Sequence, residues 1–221
     1  MTQPATLSAT ARILAVDDHP IVLQGVRRIL EDAGVAEIFE ATDPVAGYRL
    51  FHQVRPDVTV VDLAYRGRGL SGLSLIRRIR ALEPKARILV LSMHHDPVIA
   101  ARALKEGASG FTFKDLSAKD FLEAVTAVYR NHPYLPTPLA VAIASKLIPG
   151  SNQLSEKLST REIEILALMR DGYDYKSISS LLSLGYRSVT SAASSIRLKI
   201  GADDLKFVAS IHRYDEREWT D

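Results

Sequence analysis

The chain has 221 residues, 47% of them apolar, and its 28 Lys and Arg against 26 Asp and Glu leave a net charge of +2. That length allows one large or two small domains with true cores, and the near balance of charge excludes a polybasic signature over the whole chain. There is no cysteine, so disulfides, thiolate zinc sites and cysteine nucleophiles are excluded outright.

Residues 1–11 are small and polar and read as a disordered leader, without the apolar segment of a signal peptide. No apolar run approaches the roughly 20 residues that span a bilayer, so a soluble cytoplasmic protein with no membrane partner is expected. From Arg12 the pattern alternates. Residues 12–16 read as a strand, and residues 20–33 have helical spacing with Gly34 as C-terminal cap. A second strand spans 35–41. Asp43 and Pro44 open a helix to about Val54, as an N-cap followed by a first-turn proline. The run from Val58 to Val61 is apolar and β-branched, and predicts a strand buried on both faces, as in a parallel sheet. A Gly- and Arg-rich loop follows, then a helix over 71–82. Strands over 87–92 and 109–113 alternate with helices over 97–106 and 117–129. Five strand–helix alternations predict an α/β doubly wound, five-stranded parallel sheet.

The alternation stops near Asn131. Residues 132–138 carry three prolines and are expected to be irregular. One linker helix is expected over 139–148. From Ser155 the pattern is helical only, in pieces near 160–171, 175–184, 187–200 and 203–214, which predicts an all-α helix-turn-helix domain. The boundaries expected are therefore 12–131, a linker over 132–154, a second domain over 155–214, and an acidic tail over 215–221.

Sheets of this kind place their chemistry outside the carboxyl ends of the strands. Asp62 ends the third strand, and Asp17 and Asp18 end the first. Three carboxylates on one rim repel one another unless a cation lies between them, and hard oxygen ligands suit Mg²⁺. Ser92 follows the fourth strand and Lys114 the fifth. Singly, Asp17 or Asp18 reads as a helix N-cap before Pro20, and Ser92 and Lys114 read as ordinary surface groups. Together, at the ends of separate strands, these residues are similar to the receiver domain of two-component response regulators over about residues 12–130.

That resemblance implies that Asp62 accepts a phosphoryl group from a sensor histidine kinase. It implies Mg²⁺ on Asp17, Asp18, Asp62 and the backbone carbonyl of Ala64. Lys114 supplies a cation, and Ser92 offers its hydroxyl to a phosphate oxygen and draws in a switch aromatic, here Phe111. A phenylalanine has no hydroxyl to exchange between core and solvent, which mutes that part of the switch. The physical logic agrees, since phosphoryl transfer is largely positioning and charge neutralisation. The chain departs from the receiver pattern after Asp62, where a Met-Pro pair is missing and the loop is about two residues longer. Arg66 and Arg68 in that loop could reach the acceptor or be solvated charges. His19, His94 and His95 lie near the same rim and are read as structural, since hard carboxylates favour Mg²⁺ over a metal that prefers imidazole.

Residues 158–166, Leu-Ser-Thr-Arg-Glu-Ile-Glu-Ile-Leu, resemble the opening of the helix-turn-helix domain of NarL/FixJ (LuxR-type) regulators. Ser159 or Thr160 can cap this helix, with Glu162 or Glu164 in its first turn. The resemblance implies DNA binding and pairing into a homodimer on phosphorylation. The residues expected at DNA are Lys176, Arg187, Ser188, Thr190, Ser191, Ser194, Arg197 and Lys199. The recognition helix is rich in small residues, and residues 155–221 carry 10 Lys and Arg against 11 Asp and Glu. Phosphate neutralisation supplies most non-specific DNA affinity, so weak monomer binding is expected. One rival is a protein-interaction module. Another is an aspartyl-phosphate phosphatase, an enzyme that would need a second Asp where Ala64 stands.

Overall fold

The computed structural model describes residues 7–65, 71–147, 158–170 and 172–200. Five strands, β1 (Arg12–Val16), β2 (Glu37–Ala41), β3 (Val58–Val61), β4 (Ile88–Ser92) and β5 (Gly110–Phe113), form one sheet in the order 2-1-3-4-5. Every neighbouring pair is parallel. Between them run α1 (Pro20–Asp32), α2 (Pro44–Val54), α3 (Ser71–Leu82) and α4 (Pro97–Lys105), followed by α5 (Ala118–Tyr129) and α6 (Thr137–Leu147). The strand order reverses between β1 and β3, which opens a crevice at their carboxyl ends.

β3 and β4 are wholly buried because helices cover both faces. Ile13, Ala15, Val58, Val60, Leu89 and Leu91 form a core with Leu23, Val26 and Leu30 of α1 and Phe121, Ala124, Val125 and Val128 of α5. Residues of the alternate parity point to the other face. There Gly47 of α2 lies so close to Val16 that a Cβ would come within 2.7 Å of its Cγ1. The helices start where local chemistry dictates. Asp43 accepts from Val45 and Ala46 N–H, Asp96 from Val98 N–H and Ser117 from Asp120 N–H.

The structure corrects four sequence expectations in this unit. Ordered chain begins before Ala11: Leu7 and Ala11 are buried in the core, and Ala9 O accepts Ala36 N–H. β2 starts at Glu37 rather than Val35, because Val35 N–H is spent on Leu30 O in the turn that ends α1 at Gly34 (φ 86°). Neither Asp17 nor Asp18 caps α1; His19 occupies that position. α6 starts at Thr137, inside the stretch expected to be irregular, and Pro138 fits its first turn, where a missing N–H costs nothing. Upstream, Tyr134 O accepts Phe111 N–H at 2.8 Å and Tyr134 bridges Gly110, so the edge of β5 is covered.

The chain divides into two compact units, with the boundary inside α6 after Val141. The described part of the second unit has α7 (Thr160–Arg170), α8 (Tyr175–Leu181) and α9 (Tyr186–Ile200). Ile163, Ile165, Leu166 and Met169 of α7 are buried with Tyr175, Ile178, Leu182, Val189, Ala193 and Ile196. Ser159 and Glu162 form a reciprocal capping box: Ser159 N–H donates to Glu162 at 2.7 Å, and Glu162 N–H donates to Ser159 Oγ at 3.3 Å. α8 ends three residues earlier than expected because Ser183 turns left-handed (φ 51°), and Leu184 N–H bonds Ser179 O. The helix expected over 203–214, the acidic tail over 215–221, and Arg66 and Arg68 lie outside the described residues.

Candidate functional site

Asp17 leaves β1 and Asp62 leaves β3 at the crevice, and both are buried. Asp62 N–H donates to Val16 O at 2.9 Å, which extends the β1–β3 ladder to Asp62. Lys114, just past β5, reaches across the strand ends. Its Nζ lies 2.7 Å from Asp17 Oδ2 and 2.9 Å from Asp62 Oδ2, with only 7% of the side chain exposed. Lys114 N–H also donates to Ser92 O at 2.9 Å, so the backbone of β4 fixes where the lysine starts.

Burial pushes the Asp62 carboxyl up to about 6, with Lys114 opposing the rise and Asp17 adding to it. The group therefore remains ionised at neutral pH, but only just. A buried, weakly stabilised carboxylate is a competent oxygen nucleophile. Asp62 Oδ1 also accepts Ala64 N–H, loosely, at 3.4 Å.

Ser92 is fully buried at the end of β4, and its Oγ accepts His94 N–H at 3.0 Å. Phe111 is fully buried and meets Phe113 edge to face. His95 stacks on Phe113 at 4.0 Å and pairs with Asp115 at 3.2 Å.

Two residues here were not singled out as functional by the sequence. The first is His19, expected to be structural. It joins Asp17, Asp18 and Asp62 in a group whose ligand atoms lie within 4.8 Å of one another, while His94 and His95 stand outside that group among the described residues. The second is Tyr65, whose hydroxyl donates to Val16 O at 2.9 Å; burial, with Asp62 and Asp17 nearby, drives its pKa far up, so it stays a neutral donor behind the pocket. The signal for His19 was its place between two carboxylates and a first-turn proline, where the chain must bend. No sequence signal marked Tyr65. The carboxylate set fits a hard divalent cation such as Mg²⁺.

In the second unit the residues expected at DNA divide into two groups. Lys176, Arg187, Ser188, Ser191 and Ser194 are exposed, and Thr190 is half-buried. Thr190 donates to Arg187 O and Ser194 to Thr190 O, both at 3.0 Å, so their hydroxyls face outward only as acceptors. Lys199 is engaged differently: its Nζ holds both oxygens of Glu162, at 2.7 and 2.8 Å. Arg197 donates to Tyr175 Oη at 2.8 Å. Glu162 is thus bonded by Lys199, Ser195 and Ser159, and these bonds overcome its burial and hold its carboxyl down to about 2.

A five-stranded parallel sheet with three carboxylates and a lysine at its switch point, followed by a helical unit opened by a capping box, defines a response regulator with a DNA-binding domain. Residues 13–126 match the response regulator receiver domain and residues 156–211 match the bacterial regulatory proteins of the luxR family; the chain belongs to this family of transcriptional regulators. It is 36% identical over 194 residues to the methanol utilization control regulatory protein MoxX of Paracoccus denitrificans, covering 88% of this chain and 87% of that one. It is 30% identical to the oxygen regulatory protein NreC of Staphylococcus aureus, covering 86% and 91%. Among solved structures it resembles a LuxR-family two-component response regulator from an Aurantimonas species, with a TM-score of 0.58, 37% identity, and 63% and 99% of the two chains covered. It also resembles RcsB of Salmonella enterica serovar Typhimurium bound to the promoter rprA, with a TM-score of 0.60, 26% identity, and 87% and 93% covered. No helix among the described residues is long and apolar enough to cross a membrane.

Proposed function

We propose that a sensor histidine kinase transfers a phosphoryl group to Asp62, and that this modification controls DNA binding by a second domain over residues 155–214. The observation that carries the reading is the Lys114 ammonium set between Asp17 and Asp62, at 2.7 and 2.9 Å. An ionised Asp62 needs no general base: its oxygen forms the new bond to phosphorus as the bond to the kinase histidine nitrogen breaks. Lys114 neutralises charge at the acceptor. Mg²⁺ held by Asp17, Asp18, Asp62 and the Ala64 carbonyl supplies the remaining positive charge when bound. Ser92 then donates to a phosphate oxygen. Its hydroxyl now accepts His94 N–H, so engagement of the phosphate reorients it and alters the start of the loop before α4. Phe111, already fully buried, moves little, and the loop carries the signal.

The active arrangement is a homodimer in the cytoplasm that presents two α9 helices to half-sites about one helical turn apart. Lys176 and Arg187 contact phosphate, while Ser188, Thr190, Ser191 and Ser194 face base edges or backbone. A second reading, a protein-interaction module, is favoured by one observation: Lys199 and Arg197 are engaged inside the domain. Two experiments test the proposal. Intact mass after acetyl phosphate and Mg²⁺ should show one added phosphoryl in the wild type and none in Asp62→Asn; an equal mass shift in the variant refutes the acceptor. Salt-dependent binding of the phosphorylated full chain to genomic fragments should appear; its absence on every fragment leaves the protein-interaction reading.

A further inference from the structure

We infer that His19 is a ligand of the metal pocket, and that it gives the pocket a preference for a first-row transition cation over Mg²⁺ at equal concentration. The inference rests on the reading of Asp17, Asp18 and Asp62 as the metal carboxylates and names the class of cation they take. His19 Nδ1 lies 3.0 Å from Asp17 Oδ1 and 3.0 Å from Asp18 Oδ1. Ligands at adjacent corners of an octahedron with metal–ligand bonds of about 2.1 Å stand about 3.0 Å apart. His19 Nδ1 therefore already stands at that spacing from an oxygen of each aspartate, and Asp62 lies within the same group.

The backbone holds the ring there. His19 is the N-cap residue of α1, with extended φ and ψ of −100° and 106°, and Pro20 fixes the next residue. His19 N–H donates to the same Asp17 Oδ1 at 2.9 Å, so the main chain folds back over the carboxylate and carries the imidazole with it. In the metal-free chain Nδ1–H donates to the carboxylates. On ligation the metal takes the place of the proton on Nδ1, and the ring keeps a proton on Nε2; the side chain is 40% exposed and can be hydrated there. An oxygen-only pocket selects little among hard cations. One imidazole nitrogen shifts selection toward Co²⁺-like ions, because imidazole binds borderline transition cations well and Mg²⁺ poorly.

The probes are Co²⁺ and Mg²⁺, titrated into the full-length unphosphorylated protein by calorimetry, with the visible absorption of Co²⁺ as a second readout. The wild type should bind Co²⁺ more tightly than Mg²⁺. His19→Asn puts an amide oxygen near the place of Nδ1; it should lower Co²⁺ affinity by about tenfold or more, since loss of even an outer hydrogen-bond partner costs that much. It should also change the Co²⁺ spectrum and leave Mg²⁺ affinity close to that of the wild type. His19→Ala should do the same, so the result does not depend on one replacement. An unchanged Co²⁺ to Mg²⁺ ratio in both variants, or a gain in affinity for both metals, overturns the role of His19 while leaving the carboxylate pocket standing. Asp18→Ala should lose both metals; if it binds them as the wild type does, the pocket reading itself falls, and the inference with it.

Discussion

Gly72 lies so close to the backbone carbonyl of Asp62 that a Cβ at Gly72 would overlap it, and that Cβ would also stand 2.7 Å from Leu63 Cα. The first turn of α3 is pressed against the end of β3, and Gly72 N–H donates to Leu63 O at 3.0 Å. Backbone lies on both sides of this close approach, so no side chain can rotate away. Gly72→Ala should therefore shift the chain at Asp62 and Leu63, with a loss of about 1–3 kcal/mol of stability and, if Asp62 takes the phosphoryl group as proposed, slower phosphorylation by acetyl phosphate. Urea unfolding and a phosphorylation time course measure the two effects. Gly34→Ala is the control: it meets nothing within 4 Å but has φ 86°, and should cost stability without slowing phosphorylation.

Asp62 makes metal-free stability depend on pH with a definite sign. Its carboxyl titrates near 6 in the folded chain against 3.8 as the reference. Between those values the folded state keeps a proton that the unfolded state has lost, so stability falls as pH rises from about 4 to 6. Asp62→Asn removes that dependence. Unfolded in urea with a chelator present, the variant should match the wild type near pH 4 and exceed it at pH 7 by up to about 3 kcal/mol, at roughly 1.4 per pKa unit. A variant less stable than the wild type at pH 7 contradicts the burial argument.

Glu162 shows the opposite sign. Its carboxyl is held down to about 2, so its contribution is present above about pH 4 and is lost as pH falls toward 2. Glu162→Ala removes a capping box and the partner of Lys199, and should destabilise the second domain by about 1–2 kcal/mol at pH 7. Helix content followed by circular dichroism through urea unfolding reports the loss, which should shrink near pH 2.

Lys199 and Arg187 should behave differently at DNA. Arg187 is exposed near the start of α9, where recognition helices meet DNA, while the Lys199 ammonium is held by Glu162. Arg187→Ala should flatten the dependence of log K on log salt by about 0.9 for each phosphate the arginine neutralises. Lys199→Ala should leave that slope unchanged and lower thermal stability instead. Fluorescence anisotropy across a salt series separates the two.

The sequence by itself determined the sheet, because four of its five strands end on a chemistry-bearing residue, Asp17, Asp62, Ser92 or Lys114, and buried parallel strands such as β3 and β4 need continuous apolar runs. It determined the starts of α2 and α4, because Asp43 and Asp96 each precede a first-turn proline and cap by local hydrogen bonds that require no knowledge of distant residues. It left Ser159 and Thr160 as alternative caps, and only the Ser159–Glu162 geometry decided between them. Tertiary structure alone decided which charges are free. Lys199 reads as a DNA contact along the helix, but Glu162 lies 37 residues away in sequence and 2.7 Å away in space. Likewise the sequence shows His19 beside two aspartates, yet whether the ring turns toward them depends on how Pro20 and the end of β1 set the backbone. Spacing along a chain fixes what neighbours can do locally. Pairing between distant side chains depends on which elements pack together, and that is settled only when the whole core forms.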